Sequence, residues 1–300
     1  MSKIFEALQK RPGTSTGPLP PPLSQRVIID APSEARLASQ EARTGESEGR
    51  EVTIRAVPVR PPRGIPVFPF GGDRSTVAEQ YRMIRTRIAQ NVDRQKLILI
   101  SSPDSGDGKT ITTINIAGAL ALKSDINVLI LDADLCRPAV SKSLGIPECP
   151  GLSDVLLGTA TLQDAIVRLE QFSNLYVLPA GQSVANRTEL LDSARWKTLC
   201  ATIRSRFHFA IVDAPPIDAV ADYPLIQEAC DYLVVVVRPD HTNRVRCMHA
   251  LKNAPEGKLI GAVINAAEDW FLVRNNHYHY YGYNAYPYPV PVDAGGIPEK

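Results

Sequence analysis

One short run, Pro103-Asp104-Ser105-Gly106-Asp107-Gly108-Lys109-Thr110, holds the densest chemistry in the chain. It follows the apolar stretch LILISS and leads into ITTINIAGALAL, so the order is strand, glycine-rich turn, helix. Glycines at 106 and 108 let backbone N–H groups approach anionic oxygens at a helix N-terminus. Lys109 offers a point charge to terminal phosphates, and Thr110 an oxygen to Mg²⁺. The pattern departs from GxxxxGK[ST] at its first glycine, which is Pro103 here. In this setting the loop is expected to bind a nucleotide through Ser105, Gly106, Asp107, Gly108, Lys109, Thr110 and Ile111. Arg238 and Asn265 end the last two expected strands, where a base could sit.

Carboxylates stand where such a site needs them. VLILDADLCRP puts Asp132 and Asp134 just beyond an apolar run, two residues apart and so on one side if extended. FHFAIVDAPP ends another run at Asp213. In an open α/β sheet the ligand lies at the carboxyl ends of the strands. Three carboxylates converging there need a cation, and Mg²⁺ is the natural one. Alone, each aspartate reads as a cap or turn residue; beside Lys109 and Thr110 they read as catalytic, with Thr110, Asp132 and Asp213 at the metal.

These groups need a scaffold, and the apolar runs supply it. Leu97–Ile100, Val128–Leu131, Leu175–Leu178, Phe209–Val212, Leu233–Val237 and Leu259–Ile264 alternate with helical stretches. Each is nearly all apolar, as strands buried on both faces of a parallel sheet should be. The fold class expected is therefore α/β, a doubly wound, mostly parallel sheet. Val77, Tyr81, Ile84 and Ile88 recur at helical spacing ahead of it.

Thirty-three basic and thirty-two acidic side chains leave a net charge of +1, which argues against a nucleic-acid partner. No apolar run approaches the roughly 20 residues of a spanning helix, and Met1–Lys10 lacks the apolar centre of a secretory signal. Five scattered cysteines make no zinc spacing. Proline is uneven: eleven of 25 lie in the first 72 residues and four follow Asn276. The expected organisation is a short amphipathic helix at 1–10, a flexible Pro-rich linker at 11–73, a nucleotide-binding domain at 74–273 and a flexible tail at 274–300. Val27–Ile29 and Val52–Ile54 are short runs within the linker that could dock as edge strands. Six of the ten tyrosines lie in the tail, at Tyr278, Tyr280, Tyr281, Tyr283, Tyr286 and Tyr288. Spaced by Gly, Asn and Pro, they cannot build a core.

SSPDSGDGKT, VLILDADLCRP and FHFAIVDAPPIDAVAD, in that order, resemble the Walker A, A′ and B motifs of the bacterial tyrosine kinases, in particular their separate cytoplasmic CpsD/CapB-like kind. The likeness covers roughly residues 75–290 and includes PGLSDVLLG, LPAGQSVANRTELL and VVVVRPDHT. EQYRMIR matches the family's ExxRxxR helix at Glu79, Arg82 and Arg85, which implies assembly into a ring. Two departures stand out: the loop, which commonly reads PGEGK[ST], here reads Ser105-Gly106-Asp107-Gly108-Lys109-Thr110, and Cys136 stands where an arginine is frequent.

The resemblance implies a P-loop NTPase fold of the SIMIBI, MinD-like kind and an ATP-dependent, Mg²⁺-requiring protein-tyrosine autokinase. The six tail tyrosines would be its phosphoacceptors, modified in trans within the oligomer. Asp132 or Asp134 would draw the proton from the incoming phenol; spacing does not say which. Exopolysaccharide or capsule synthesis or export would be the process regulated. A transmembrane activator (polysaccharide co-polymerase) on a separate chain and a tyrosine phosphatase would be the partners. Location would be cytoplasmic, at the inner membrane face through that activator. The rivals are a partition or division-site ATPase switch (ParA/MinD type) and a non-catalytic ATP-binding scaffold. Asp104 stands where the switch type carries its signature lysine.

Overall fold

The structure, a computed structural model, describes residues 54–65, 67, 76–217 and 219–266. The expected N-terminal helix, the run Val27–Ile29, most of the linker and the tyrosine tail lie outside the described residues. Eight strands share one sheet: β1 (Arg55–Val57), β2 (Lys96–Ser101), β3 (Val128–Asp132), β4 (Val167–Leu169), β5 (Leu175–Leu178), β6 (Phe209–Asp213), β7 (Tyr232–Val237) and β8 (Leu259–Ile264). Their order across the sheet is β1-β4-β5-β3-β6-β2-β7-β8. Every neighbouring pair is parallel except β4 with β5. All six expected strands are present, and the sheet is doubly wound.

Alternation along the central strands divides the core in two. Leu97, Leu99, Leu129, Leu131 and Val212 pack on one face; Ile98, Ile100, Val128, Ile130 and Ile211 pack on the other. The second face receives α1 (Thr76–Asn91), α2 (Lys109–Ala121) and α3 (Val140–Leu144) through Tyr81, Ile88, Ile114, Leu120 and Leu144. On the first face lie α4 (Leu152–Leu157), α5 (Leu162–Ala165), α6 (Arg187–Leu191), α7 (Ala194–Arg206), α8 (Asp222–Ala229) and α9 (Arg244–Asn253). There Trp196, Leu199 and Ile203 of α7 and Ile226 of α8 fill the layer. Full burial of each such large side chain stabilises by about 1.5–3 kcal/mol.

One side chain holds the far end of the helix behind the glycine-rich loop. Asn174, just before β5, donates from Nδ2 to the carbonyls of Ala121, Lys123 and Ile126, at 3.0, 2.8 and 2.8 Å. These carbonyls lie at and just past the α2 C-terminus, where a helix leaves acceptors unpaired. At the other end Gly108 precedes α2 as its N-cap and supplies no side-chain cap.

The linker expected over 11–73 is not a linker throughout. β1 pairs in parallel with β4, Arg55 to Val167 and Val57 to Leu169, and Val57, Val59 and Val67 are buried. Val59 and Gln171 exchange two hydrogen bonds, at 3.4 and 3.3 Å. The edge strand anticipated at Val52–Ile54 falls just after it, at Arg55–Val57. Three residues suffice to add a strand here because β4 offers an open edge. On α1, Val77 is 47 % exposed and Ala78 takes the inward position beside Tyr81. No described helix is long and apolar enough to cross a membrane.

Candidate active site

Register brings the acids together. Asp132 and Asp213 are partners across β3 and β6, and Ile100, one residue before the end of β2, pairs with Asp213 as well. The loop after β2 therefore opens directly over both carboxylates. Gly106 and Gly108 hold φ of +90° and +94°, a region closed to most side chains. This lets the chain turn sharply into α2, whose first two residues are Lys109 and Thr110.

Lys109 Nζ lies 2.8 Å from Asp134 Oδ2 and 3.9 Å from Asp213 Oδ1. Burial alone would lower the lysine pKa, but the charges of Asp213 and Asp134 outweigh it and hold the proton on the ammonium. Thr110 donates from Oγ1 to Asp213 Oδ2 at 2.6 Å. The second oxygen, Asp213 Oδ1, is fully buried and has no hydrogen-bond partner. Burial pushes the Asp213 pKa up to about 6. Asp132 is pushed up to about 8, first by burial and then by the charge of Asp213.

The two aspartates after β3 have different surroundings. Asp132 faces inward: Oδ1 accepts from the Asp134 N–H at 3.3 Å, and Oδ2 from those of Ala139 and Val140, at 3.2 and 3.1 Å. Asp134 turns toward Lys109, while its Oδ1 accepts the Arg137 N–H at 2.9 Å. A cleft of about 420 Å³ runs along the loop, lined among others by Gly106, Lys109, Thr110, Asp134, Cys136 and Arg137. Asp134 reaches this cleft; Asp132 lies beneath it.

Of the loop residues expected to bind nucleotide, Ser105, Gly106, Gly108, Lys109, Thr110 and Ile111 line the cleft. Asp107 does not. Its carboxylate is buried behind the loop against His241 and Thr242. Asn265, expected near a base, donates from Nδ2 to the Asp107 carbonyl at 2.8 Å. Arg238 is exposed at the end of β7. Glu79 and Arg82 pair at 3.0 Å along α1, with Arg85 one turn on. His241 and Thr242 carry no expectation from their own types; the signal was VVVVRPDHT, which places polar residues at a strand end facing the loop.

The donor set fits a small divalent cation held jointly with phosphate oxygens. A hydroxyl and a carboxylate with a spare buried oxygen meet at the foot of the loop, where only oxygen donors are offered. Among the described residues no group of three His, Cys, Asp or Glu side chains could hold a metal by itself.

Comparison with known proteins decides the kinship. A family model described as an AAA domain matches residues 95–251, more than half of the chain. The putative tyrosine-protein kinase CapB of Staphylococcus aureus is 31 % identical over 205 residues, 67 % of this chain and 89 % of that protein. Tyrosine-protein kinase YwqD of Bacillus subtilis is 35 % identical over 196 residues, 64 % of this chain and 82 % of its own. The chain belongs to the bacterial tyrosine kinases. Among solved structures, the kinase domain of the Escherichia coli tyrosine kinase ETK superposes with a TM-score of 0.60 at 25 % identity, covering 66 % of this chain and 80 % of that one. The chimerical protein CapA2B2 gives 0.57 at 28 %, covering 63 % and 85 %. This kinase thus has the P-loop NTPase fold expected, and its loop, A′ and B aspartates stand together in space as their order in the sequence implies.

Proposed function

We propose that this kinase uses Mg²⁺ and ATP to phosphorylate its own tyrosine cluster, Tyr278 to Tyr288, in trans within an oligomer that forms through Glu79, Arg82 and Arg85. The arrangement of Lys109, Thr110, Asp134 and Asp213 around one cleft carries this reading. Regulation of exopolysaccharide or capsule synthesis or export is the process proposed, on kinship with the CapB and CpsD kinases. A transmembrane activator on a separate chain, which would hold the kinase at the inner face of the membrane, and a tyrosine phosphatase are the partners proposed. The domain begins with β1 rather than at residue 74, and the tail follows Val273.

Phosphoryl transfer asks mainly for positioning and for neutralisation of charge. Lys109, held between two carboxylates, is placed to turn its ammonium onto β- and γ-phosphate oxygens. Thr110 and the spare oxygen of Asp213 would hold the Mg²⁺, with Asp132 acting mostly through its waters. The ion, when bound, neutralises phosphate charge as the γ-group leaves. A tyrosine phenol has a pKa near 10 and must lose its proton as it attacks. Asp134 is the A′ carboxylate that lines the cleft, so it is assigned as the acceptor of that proton. Asp132 is assigned to hold the backbone that aims it.

The test is phosphotyrosine mass spectrometry on protein expressed with and without Lys109→Met. Label confined to the six tail tyrosines, and absent from the variant, is expected. An unsubstituted chain that hydrolyses ATP yet never labels its tail would overturn the proposal and favour the ATPase-switch reading.

A further inference from the structure

The phosphate-binding loop is gripped from behind by residues more than 130 positions away. Asp107, at its middle, has no exposed surface, and both carboxylate oxygens are engaged. Oδ2 accepts the Asp104 N–H at 3.0 Å. Oδ1 accepts the Thr242 hydroxyl at 2.7 Å and lies 2.9 Å from His241 Nδ1. The Thr242 oxygen in turn accepts the Arg238 N–H at 2.7 Å, which directs its own proton at Asp107. Thr242 N–H also closes the turn onto the Arg238 carbonyl at 2.9 Å. Asp104 is tied to the same segment, its Oδ2 accepting from Asn243 N at 2.7 Å and its Oδ1 pairing with Arg246 at 2.7 Å.

Contact is close along the whole inner side of the loop. A Cβ on Gly108 would stand 2.0 Å from Asn265 Nδ2, and one on Gly106 would stand 3.2 Å from His241 Cε1. The opposite side of the same glycines lines the cleft. The loop therefore has a closed back and an open front.

A carboxylate at the centre of an anion site is an electrostatic liability. Its oxygens compete with phosphate for the loop's N–H donors unless other donors occupy them. Here Thr242 and His241 occupy Oδ1 from behind. We infer that Thr242, assisted by His241, is a positioning residue for nucleotide binding: acting through Asp107, whose Oδ2 takes only the Asp104 N–H, it keeps that carboxylate turned away from the donors of residues 105–110 and leaves them available to phosphate. Neither residue is assigned contact with the nucleotide, and neither takes part in the transfer itself. The inference rests on the reading of the loop as the nucleotide site.

The experiment uses the full chain and measures ADP affinity, KM for ATP and kcat for tail phosphorylation. Thr242→Val keeps the shape and removes the hydroxyl. It should weaken ADP binding and raise KM for ATP by about tenfold or more, the worth of one hydrogen bond to a charged group. The kcat at saturating ATP should stay within about threefold, because transition-state groups are untouched. Thr242→Ser should restore both constants. If Thr242→Val fails to fold, His241→Leu against His241→Gln gives the same comparison at a half-exposed position, with KM rising in the first and recovering in the second. An unchanged KM, a loss confined to kcat, or a serine variant as poor as valine would overturn the inference. Failure of the unsubstituted chain to bind ADP would instead overturn the nucleotide reading beneath it.

Discussion

Asp132 and Asp213 stand opposite each other on β3 and β6, yet their carboxylates are used in different ways. Asp132 gives both oxygens to backbone N–H groups of the following turn. Asp213 gives one oxygen to Thr110 and leaves the other buried without a hydrogen bond, 3.9 Å from Lys109 Nζ. The first is built like a structural brace and the second like a ligand. This difference divides the three acids into separate roles that mutation can test.

Asp132→Asn should act mainly on stability, with a smaller loss of rate through the Mg²⁺ waters, and Asp134→Asn mainly on rate. The amide at 132 would set an NH₂ group against backbone donors, at a cost of about 1–3 kcal/mol, seen as a lower melting temperature. The change at 134 also weakens the pairing of Lys109 and so lowers melting too, but its distinguishing effect should be on tail phosphorylation in the folded protein, slowed by about 10²–10⁴-fold, the usual worth of a general base. A full-rate Asp134→Asn enzyme would remove that residue from the proton transfer.

Stability of the nucleotide-free kinase should fall as pH rises. An unfolded aspartate releases its proton near pH 4, whereas the folded chain retains it up to about 6 at Asp213 and about 8 at Asp132. Over that window the folded state binds more protons than the unfolded state, so raising pH disfavours folding until it levels off above about 8. Thermal melts at pH 5, 6.5 and 8 measure the slope. Asp132→Asn should flatten its upper half; a melting temperature that climbs from pH 5 to 8 would contradict the assignment.

Truncation should locate the true start of the domain. Removal of residues 2–50 leaves β1 intact and should preserve the melting temperature. Removal of residues 2–73 strips Val57, Val59 and Val67 from the core beneath β4 and should lower it. Equal melting of the two truncated chains would return residues 54–67 to the linker.

Phosphorylation of all six tail tyrosines would take the formal charge from +1 to roughly −8 to −11. Like charges concentrated on each copy should loosen an assembly of copies. Light scattering before and after phosphatase treatment should show a larger mass after treatment, and an unchanged mass would speak against this form of control.

Six strands were legible because Leu97–Ile100 and its counterparts are continuous apolar runs long enough to stand out. β1 and β4 were not, since Arg-Ala-Val and Val-Arg-Leu are three residues long and owe their state to pairing, β1 with β4 and β4 with β5. The loop, the lysine and the three aspartates were readable as a set because their order reports their meeting at the strand ends. Which A′ aspartate faces the cleft was not readable. Spacing puts Asp132 and Asp134 on one side, and only the turn to Ala139 and Val140 separates them. The Asp107–Thr242 bond spans 135 positions, and VVVVRPDHT marks polar residues at a strand end without naming their partner.

One further consequence follows from where β8 ends. Asn265 touches the phosphate-binding loop, and Tyr278 comes only 13 residues later in the chain. If the tail is the acceptor, as proposed, its concentration at its own copy's site is set by chain length rather than by how much protein is present. A tethered acceptor used within one copy would be labelled at a rate indifferent to dilution. One used between copies would slow as the copies separate. Dilution alone therefore distinguishes the two routes.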